Sequence, residues 1–457
     1  MPFNSFDNYP MSWRPILKAS GKPLYIELAE QLQSDIQNGV LAPGTKLPPQ
    51  RELADFLDIN VSTVSRAFKI CSSKGLLTGT VGSGTYVAYS VLTNLAASSD
   101  TSRPMIELGS MMPETIPQDE SVRLLREMLD EPDCGKYFQY SHGIPEWQLD
   151  AASRLLKRVG VSIPNQQILI AGGGQNAIAS IFSSLLSPGD RIGVDPLVYP
   201  GVKNLAVQFG IQLVPIEQKE HEIQEDSLLY AIKNYGIKAL YLVPDFQNPT
   251  CHTMSEEARK MLARLARKYD LLIIEDGITA LLNDSPLCSI QSNAPENTIY
   301  ILSVSKTVSP ALRLAYMAVP EKYYSALNSS LNNINLSQSF LLMELSSRLI
   351  VSGQIDDLLS RRTIGIAERN KVADEVLSGF QLYGNSRCLA RWLVLPNGMS
   401  GAEFEHAALE KGVIVYGSER FTVGKDCPER ATRLAVCTPD SIEELRRGLE
   451  ILRSILE

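Results

Sequence analysis

An α/β protein in two parts is what this sequence predicts: a small head of three helices and a two-stranded wing, then a large body built on a mainly parallel sheet. Three observations lead there. Residues 23–87 place apolar side chains at helical spacing three times over and close with two β-rich runs around Gly82-Ser83-Gly84. From Ile168 onward, short apolar runs alternate with helix-forming segments, the pattern of strands covered by helices. At 457 residues the chain also exceeds the roughly 250–300 residues that a single core serves.

Each element of the head has its own signal. Leu24, Leu28, Leu32 and Ile36 recur every fourth residue, one apolar stripe on a helix over 23–38 that Gly39 ends. A second helix starts near Pro49 with Leu53, Ala54 and Leu57 inward, and Asp58-Ile59-Asn60 breaks it. Asn60 is placed to cap a third helix, in which Val61, Val64 and Phe68 recur at helical spacing and which Lys74-Gly75 stops. Residues 76–79 and 84–87 read as the strands of the wing. The helices alone would suit an ordinary three-helix subdomain. Joined to a wing and to the turn Pro48-Pro49-Gln50-Arg51-Glu52-Leu53, they make a winged helix-turn-helix whose third helix reads a DNA major groove. Arg51, Asn60, Ser62, Thr63, Arg66, Ser83 and Gly84 are the expected contacts to double-stranded DNA: hydroxyls, backbone amides and a glycine tip suit phosphates, and Arg66 can read a guanine edge.

Residues 88–104 are rich in Ser, Thr and Ala with no periodic face, so the expected organisation is a DNA-binding domain over 1–88, a linker over 89–104 and a body over 105–457. In the body, 168–171, 191–194, 239–243, 271–274, 298–302 and 314–318 read as strands. Helices dominate from about 321, and strands near 392–394 and 433–436 suggest a small α+β subdomain.

The formal charge of -8 is unevenly spread: residues 1–90 hold eight Lys/Arg against seven Asp/Glu, and the remainder 35 against 44. A near-neutral head on an acidic body permits DNA binding through a local basic face. Seven scattered cysteines form no C-x-x-C pair, so no metal site or disulfide framework is expected, and a reducing cytoplasm is the expected compartment. No apolar run approaches the ~18 residues of a membrane helix, and no leader pattern opens the sequence, so a soluble chain without membrane partners is expected.

The chemistry-bearing stretch is Ser303-Val304-Ser305-Lys306, followed by Arg313. A lysine between small hydroxyl residues, with an arginine seven places on, suits a pyridoxal 5'-phosphate Schiff base, since the aldehyde needs an amine and the phosphate needs donors. Together with Leu47 to Ala54 and Gly82 to Val87 in the head, and Asn248-Pro249-Thr250, Glu275-Asp276 and Arg433 in the body, this stretch makes the chain resemble the MocR group of GntR-type regulators. These join a GntR winged helix to a fold-type I aminotransferase-like domain.

The resemblance implies roles residue by residue. Lys306 would hold the cofactor and be its catalytic lysine; Ser303, Ser305 and Arg313 would take its phosphate, with backbone N–H groups of Gly173, Gly174 and Gln175 at a helix start. Asp276 would pair with the ring nitrogen, Asn248 with the ring hydroxyl, and Tyr199 would stack on the ring. Arg433 would clamp the carboxylate of an amino-acid ligand. A homodimer on paired DNA half-sites is implied as well. Two departures stand out: Thr279 occupies the place of a ring-contacting tyrosine, and Tyr140 sits in a stretch of altered spacing. Three readings stay open: a regulator sensing an amino acid or amine, a regulator sensing pyridoxal phosphate itself, and an aminotransferase with a secondary head. Thr279 points to weak turnover.

Overall fold

The computed structural model describes residues 12–17, 22–37, 40–41, 45–74, 76–80, 84–87, 105–114, 117–140, 143–284, 286–396, 398–424 and 427–457, with Ser73 and residues 78–80 by backbone alone. It divides into two compact units, Met1–Pro104 and Met105–Glu457. The expected linker over 89–104 lies outside the described residues.

In the first unit, helices α1 (Leu24–Gln37), α2 (Gln50–Leu57) and α3 (Val61–Ser73) precede strands β1 (Leu77–Thr80) and β2 (Gly84–Val87), which pair antiparallel with Leu77 opposite Val87. Leu28, Leu32, Ile36, Leu53, Val64 and Phe68 share one core with Trp13, Leu77 and Val87. Two expected inward residues face solvent instead: Leu24 is 47% exposed and Val61 37%. Both open their helices, where the chain has not yet turned onto the core. Leu57, on the last turn of α2, is only half-buried.

The second unit opens with β3 (Ile106–Glu107). Its main sheet contains β4 (Ile168–Ala171), β5 (Arg191–Val194) and β6 (Gln212–Pro215). A small hairpin of β7 (Gln218–Lys219) and β8 (Glu222–Ile223) intervenes. The sheet continues with β9 (Ala239–Leu242), β10 (Leu272–Asp276), β11 (Thr298–Ser303) and β12 (Ala315–Ala318). Among the described residues the order is β4-β12-β11-β10-β9-β5-β6, parallel throughout except for β12, which runs antiparallel to both neighbours. The sheet is thus mainly parallel, as expected. Alternate residues feed opposite layers: Ile168 and Ile170 join one core, Leu169 and Ala171 another. With helices on both faces, such strands are apolar at every position.

Several elements differ from expectation. Strand β6 was not foreseen, because as an edge strand it exposes Gln212 and Pro215 and lacks the continuous apolar run of its neighbours. Strand β10 extends past Ile274 to Asp276, so the two carboxylates belong to the strand rather than to the loop after it. The small subdomain contains β13 (Leu382–Tyr383), β14 (Arg391–Val394), β15 (Val413–Ile414), β16 (Tyr416–Gly417) and β17 (Ala431–Leu434). Strand β17 starts two residues earlier than expected and ends at Leu434, and its register sets Arg433 opposite Trp392 and Tyr416. Strand β15 pairs parallel with β3, tying the first residues of the unit to the small subdomain.

Candidate cofactor site and DNA-reading face

The strand ends converge on Lys306. After β4, Gly172-Gly173 turn the chain into the helix Gly174–Leu185; Gly173 has φ 95 and no side chain caps the helix, so its first N–H groups and its dipole form an anion-attracting end. The positive φ favours glycine there, and a Cβ on Gly173 would lie 3.0 Å from Arg313 Nη2 and displace that guanidinium. Arg313 adopts φ 50 and donates to Gly172 O at 3.4 Å, which sets its guanidinium beside the same helix end.

Ser303 ends β11, and its Oγ accepts from Ser305 N–H at 3.3 Å. Ser305 Oγ and Gln175 Oε1 are buried with no hydrogen-bond partner among the described residues. Buried polar atoms are ordinarily paired; the Ser305 hydroxyl can donate, and with the Arg313 guanidinium and the uncapped helix N-terminus it suits an anion with several acceptors, whereas Gln175 Oε1 can only accept and Nε2 of that side chain donates to Gly201 O at 3.1 Å. Lys306 is half-buried, and burial first, then the charges of Arg433 and Arg313, push its ammonium pKa below the usual range. Its Nζ donates to Met111 O.

Asp276 is buried at the end of β10; burial pushes its carboxyl up to about 6, against hydrogen bonds from Tyr241 Oη at 2.7 Å and Ile278 N–H at 3.2 Å. Tyr199 is raised by burial and then by the charge of Asp276, with Arg433 and Arg313 opposing, which sets the phenol within the field of all three. Arg433 is buried on β17, donating from Nη1 to Asn248 Oδ1 at 2.5 Å and from Nη2 to Gly109 O at 2.5 Å, with Nε lacking a partner among the described residues. Its guanidinium lies 4.8 Å from the Phe421 ring centre. Thr279 is buried and donates to Asp245 O at 2.6 Å, so its hydroxyl is spent on the backbone.

The structure therefore brings together Gly173, Gly174, Gln175, Tyr199, Asn248, Asp276, Ser303, Ser305, Lys306, Arg313 and Arg433, joined by the bonds and charges above. Tyr140 stands apart, 70% exposed. Three contributors were not foreseen. Tyr241 carries a hydroxyl inside the apolar run of β9, and a buried phenol needs a partner, which was a usable signal. The carbonyls of Gly109 and Met111 left none, since every residue has one.

In the head, Asn60 caps α3 by accepting from Ser62 N–H at 2.9 Å. Arg51, Ser62 and Arg66 are exposed, Thr63 is half-buried, and the Arg66 guanidinium sits 5.8 Å from the Tyr25 ring centre. Gly84 is exposed where β2 begins; Ser83, also an expected contact, lies outside the described residues.

Residues 24–87 match the family of bacterial regulatory proteins of the gntR type, and residues 105–449 match aminotransferase class I and II. The HTH-type transcriptional regulator YdeF of Bacillus subtilis is 49% identical over 100% of this chain and 99% of its own length. The chain belongs to the HTH-type regulators that join a GntR head to an aminotransferase-like body. Further members of this family match at lower identity. The vitamin B6 salvage pathway transcriptional repressor PtsJ of Salmonella typhimurium is 27% identical over 91% of this chain and 95% of its own. The probable rhizopine catabolism regulatory protein MocR of Rhizobium meliloti is 23% identical over 83% and 81%. Among solved structures, an archaeal alanine:glyoxylate aminotransferase shares the fold at TM-score 0.73 and 22% identity, over 84% of this chain and 97% of its own. Pyrococcus horikoshii kynurenine aminotransferase, solved with PMP, shares it at TM-score 0.71 and 24% identity, over 80% and 94%. A GntR head implies DNA as a partner of this GntR-headed regulator. No helix among its described residues is long and apolar enough to cross a membrane.

Proposed function

We propose that this chain is a cytoplasmic DNA-binding regulator whose body holds pyridoxal 5'-phosphate at Lys306 and uses that site to sense a small molecule. The observation that carries the reading is the orphaned buried hydroxyl Ser305 Oγ, a donor beside Arg313 and a helix N-terminus, with a lysine of lowered pKa close by. The residues present fit the cofactor: Gly173, Gly174, Gln175, Ser303, Ser305 and Arg313 would hold its phosphate, Asn248 its ring hydroxyl and Tyr199 its ring face. When bound, the cofactor supplies an electrophilic carbon and an electron-drawing ring.

The chain's own residues prepare the site for it. Asp276 would keep a proton at the ring nitrogen, and Tyr241 holds one carboxylate oxygen in place. The lowered pKa of Lys306 makes its free amine more available at neutral pH. Arg433, buried and with Nε unpaired among the described residues, would take a carboxylate bidentately, which suits an amino acid better than a plain amine. Thr279 leaves the ring hydroxyl with Asn248 alone, a site suited to binding more than to turnover. Arg51, Asn60, Ser62, Thr63, Arg66, Ser83 and Gly84 would contact DNA, and a homodimer would present two heads to paired half-sites. Exposed Phe138, Tyr140 and Leu336 are apolar groups that such a dimer would cover.

A second reading, in which pyridoxal phosphate itself is the signal, draws on the likeness to PtsJ over 91% of this chain. One experiment tests the cofactor and separates the signals. Purified protein and Lys306→Ala are titrated with pyridoxal 5'-phosphate and followed by visible absorbance; a new band in the wild type alone is expected. Duplexes selected from a random pool by the wild type are then bound with cofactor alone and with cofactor plus each amino acid. A response to cofactor but to no amino acid favours the second reading, and identical bands in both proteins refute the assignment of Lys306.

A further inference from the structure

Two of the site's three cations, Lys306 and Arg433, are held by one short stretch of backbone. Lys306 Nζ donates to Met111 O, and Arg433 Nη2 donates to Gly109 O at 2.5 Å. These carbonyls follow directly on β3, which begins just after the boundary between the two units at Pro104. Residues 109–112 are therefore among the first of the body after its covalent junction with the head. On the upstream side the chain is pinned as a strand, with Ile106 N–H on Gly412 O at 2.9 Å and Leu108 N–H on Ile414 O at 2.8 Å. Within the stretch, Thr438 Oγ1 donates to Ser110 O at 2.6 Å and accepts from Met112 N–H at 3.1 Å.

We propose that residues 109–112 are a strap that converts occupancy of the site into release of the backbone next to the junction with the head. The proposal rests on the reading of Lys306 as cofactor lysine and Arg433 as carboxylate clamp, and its argument is competition for donors. An ammonium offers three N–H groups. When Lys306 Nζ condenses with an aldehyde, a C=N bond forms, the carbonyl oxygen leaves as water, and the nitrogen keeps at most one N–H. That N–H is fixed in the plane of the new bond, so Met111 O loses its donor. Arg433 Nη2 carries two N–H groups, and a carboxylate that seats on the edge facing Gly109 O takes the one that serves this carbonyl. An anionic oxygen there outcompetes a neutral carbonyl. The cofactor thus removes one anchor from these four residues and a carboxylate ligand on that edge of Arg433 removes another, and a carbonyl stripped of its donor is driven toward water.

Hydrogen–deuterium exchange of the full chain, read on peptides covering 105–114, tests this. Adding pyridoxal 5'-phosphate to the wild type, with loading counted by mass after borohydride reduction, is expected to speed exchange of the 110–112 amides by about tenfold, the scale of losing one charge-assisted bond. Lys306→Met without cofactor should show the same acceleration, because it too removes the donor, and added cofactor should change nothing further in it. Exchange across β11 should be unaltered in both, which reports intact folding. A loaded wild type with unchanged strap exchange overturns the proposal, as does a cofactor-free Lys306→Met that exchanges like the wild type. If Lys306→Met accelerates exchange but the wild type takes up no cofactor, the strap stands and the cofactor reading falls.

Discussion

Asp276→Asn is expected to stabilise the cofactor-free chain while weakening its grip on the cofactor. The Asp276 carboxyl is buried, and burial raises its pKa from the ordinary 3.8 to about 6. An acid whose folded pKa lies above its unfolded value binds its proton more tightly in the fold, so its contribution to stability falls as pH rises from the unfolded to the folded value. The cost is absent well below pH 3.8 and complete well above pH 6. A gap of about two units corresponds to about 3 kcal/mol at pH 8 and about half that at pH 5, as orders of magnitude. Asparagine buries no charge, keeps an oxygen for Ile278 N–H, and can offer its NH2 to the Tyr241 oxygen. Urea unfolding of the stripped full chain should show Asp276→Asn more stable than wild type by about 1–3 kcal/mol at pH 8, with a smaller gain at pH 5. Tyr241→Phe should move the other way, losing about 1.5–3 kcal/mol at pH 8 because an ionised acceptor loses its donor. No gain for Asp276→Asn at pH 8, or an equal gain at both pH values, would refute the reasoning.

Two further substitutions probe the cup and the head. Gly173→Ala places a Cβ at φ 95 and 3.0 Å from Arg313 Nη2, so it should cost about 1–3 kcal/mol of stability and lower cofactor affinity by at least about tenfold, measured by absorbance titration. Asn60→Ala removes the cap of α3 and should cost about 1 kcal/mol, read as a lower melting temperature of the head together with weaker binding to selected duplexes.

Much of the site was legible because its residues are tied to features that sequence displays. Ser303, Ser305, Lys306 and Arg313 sit within eleven positions of one another, and Asp276 and Asn248 lie at or just after strands whose apolar runs are plain. Leu24 and Val61 misled because helical periodicity gives the direction of a face but not where the neighbouring element stops covering it. Strand β6 was missed because an edge strand buries too little to show a pattern. The role of Thr279 could be stated only as a missing tyrosine, since whether its hydroxyl faces the site or Asp245 O is a matter of rotamer and neighbours.

By itself the sequence determined the two-part architecture and singled out the lysine, the residues proposed for a phosphate cup and the helix proposed to read DNA, because periodicity, capping and short-range spacing are local properties of the chain. Tertiary structure alone decided that Tyr241 supports Asp276, that Arg433 rests on Asn248, and that the carbonyls of Gly109 and Met111 hold Arg433 and Lys306. Those contacts join residues 35 to more than 300 positions apart through hydroxyls and backbone groups. Backbone atoms are identical in every residue, so only folding could choose which carbonyl meets which charge.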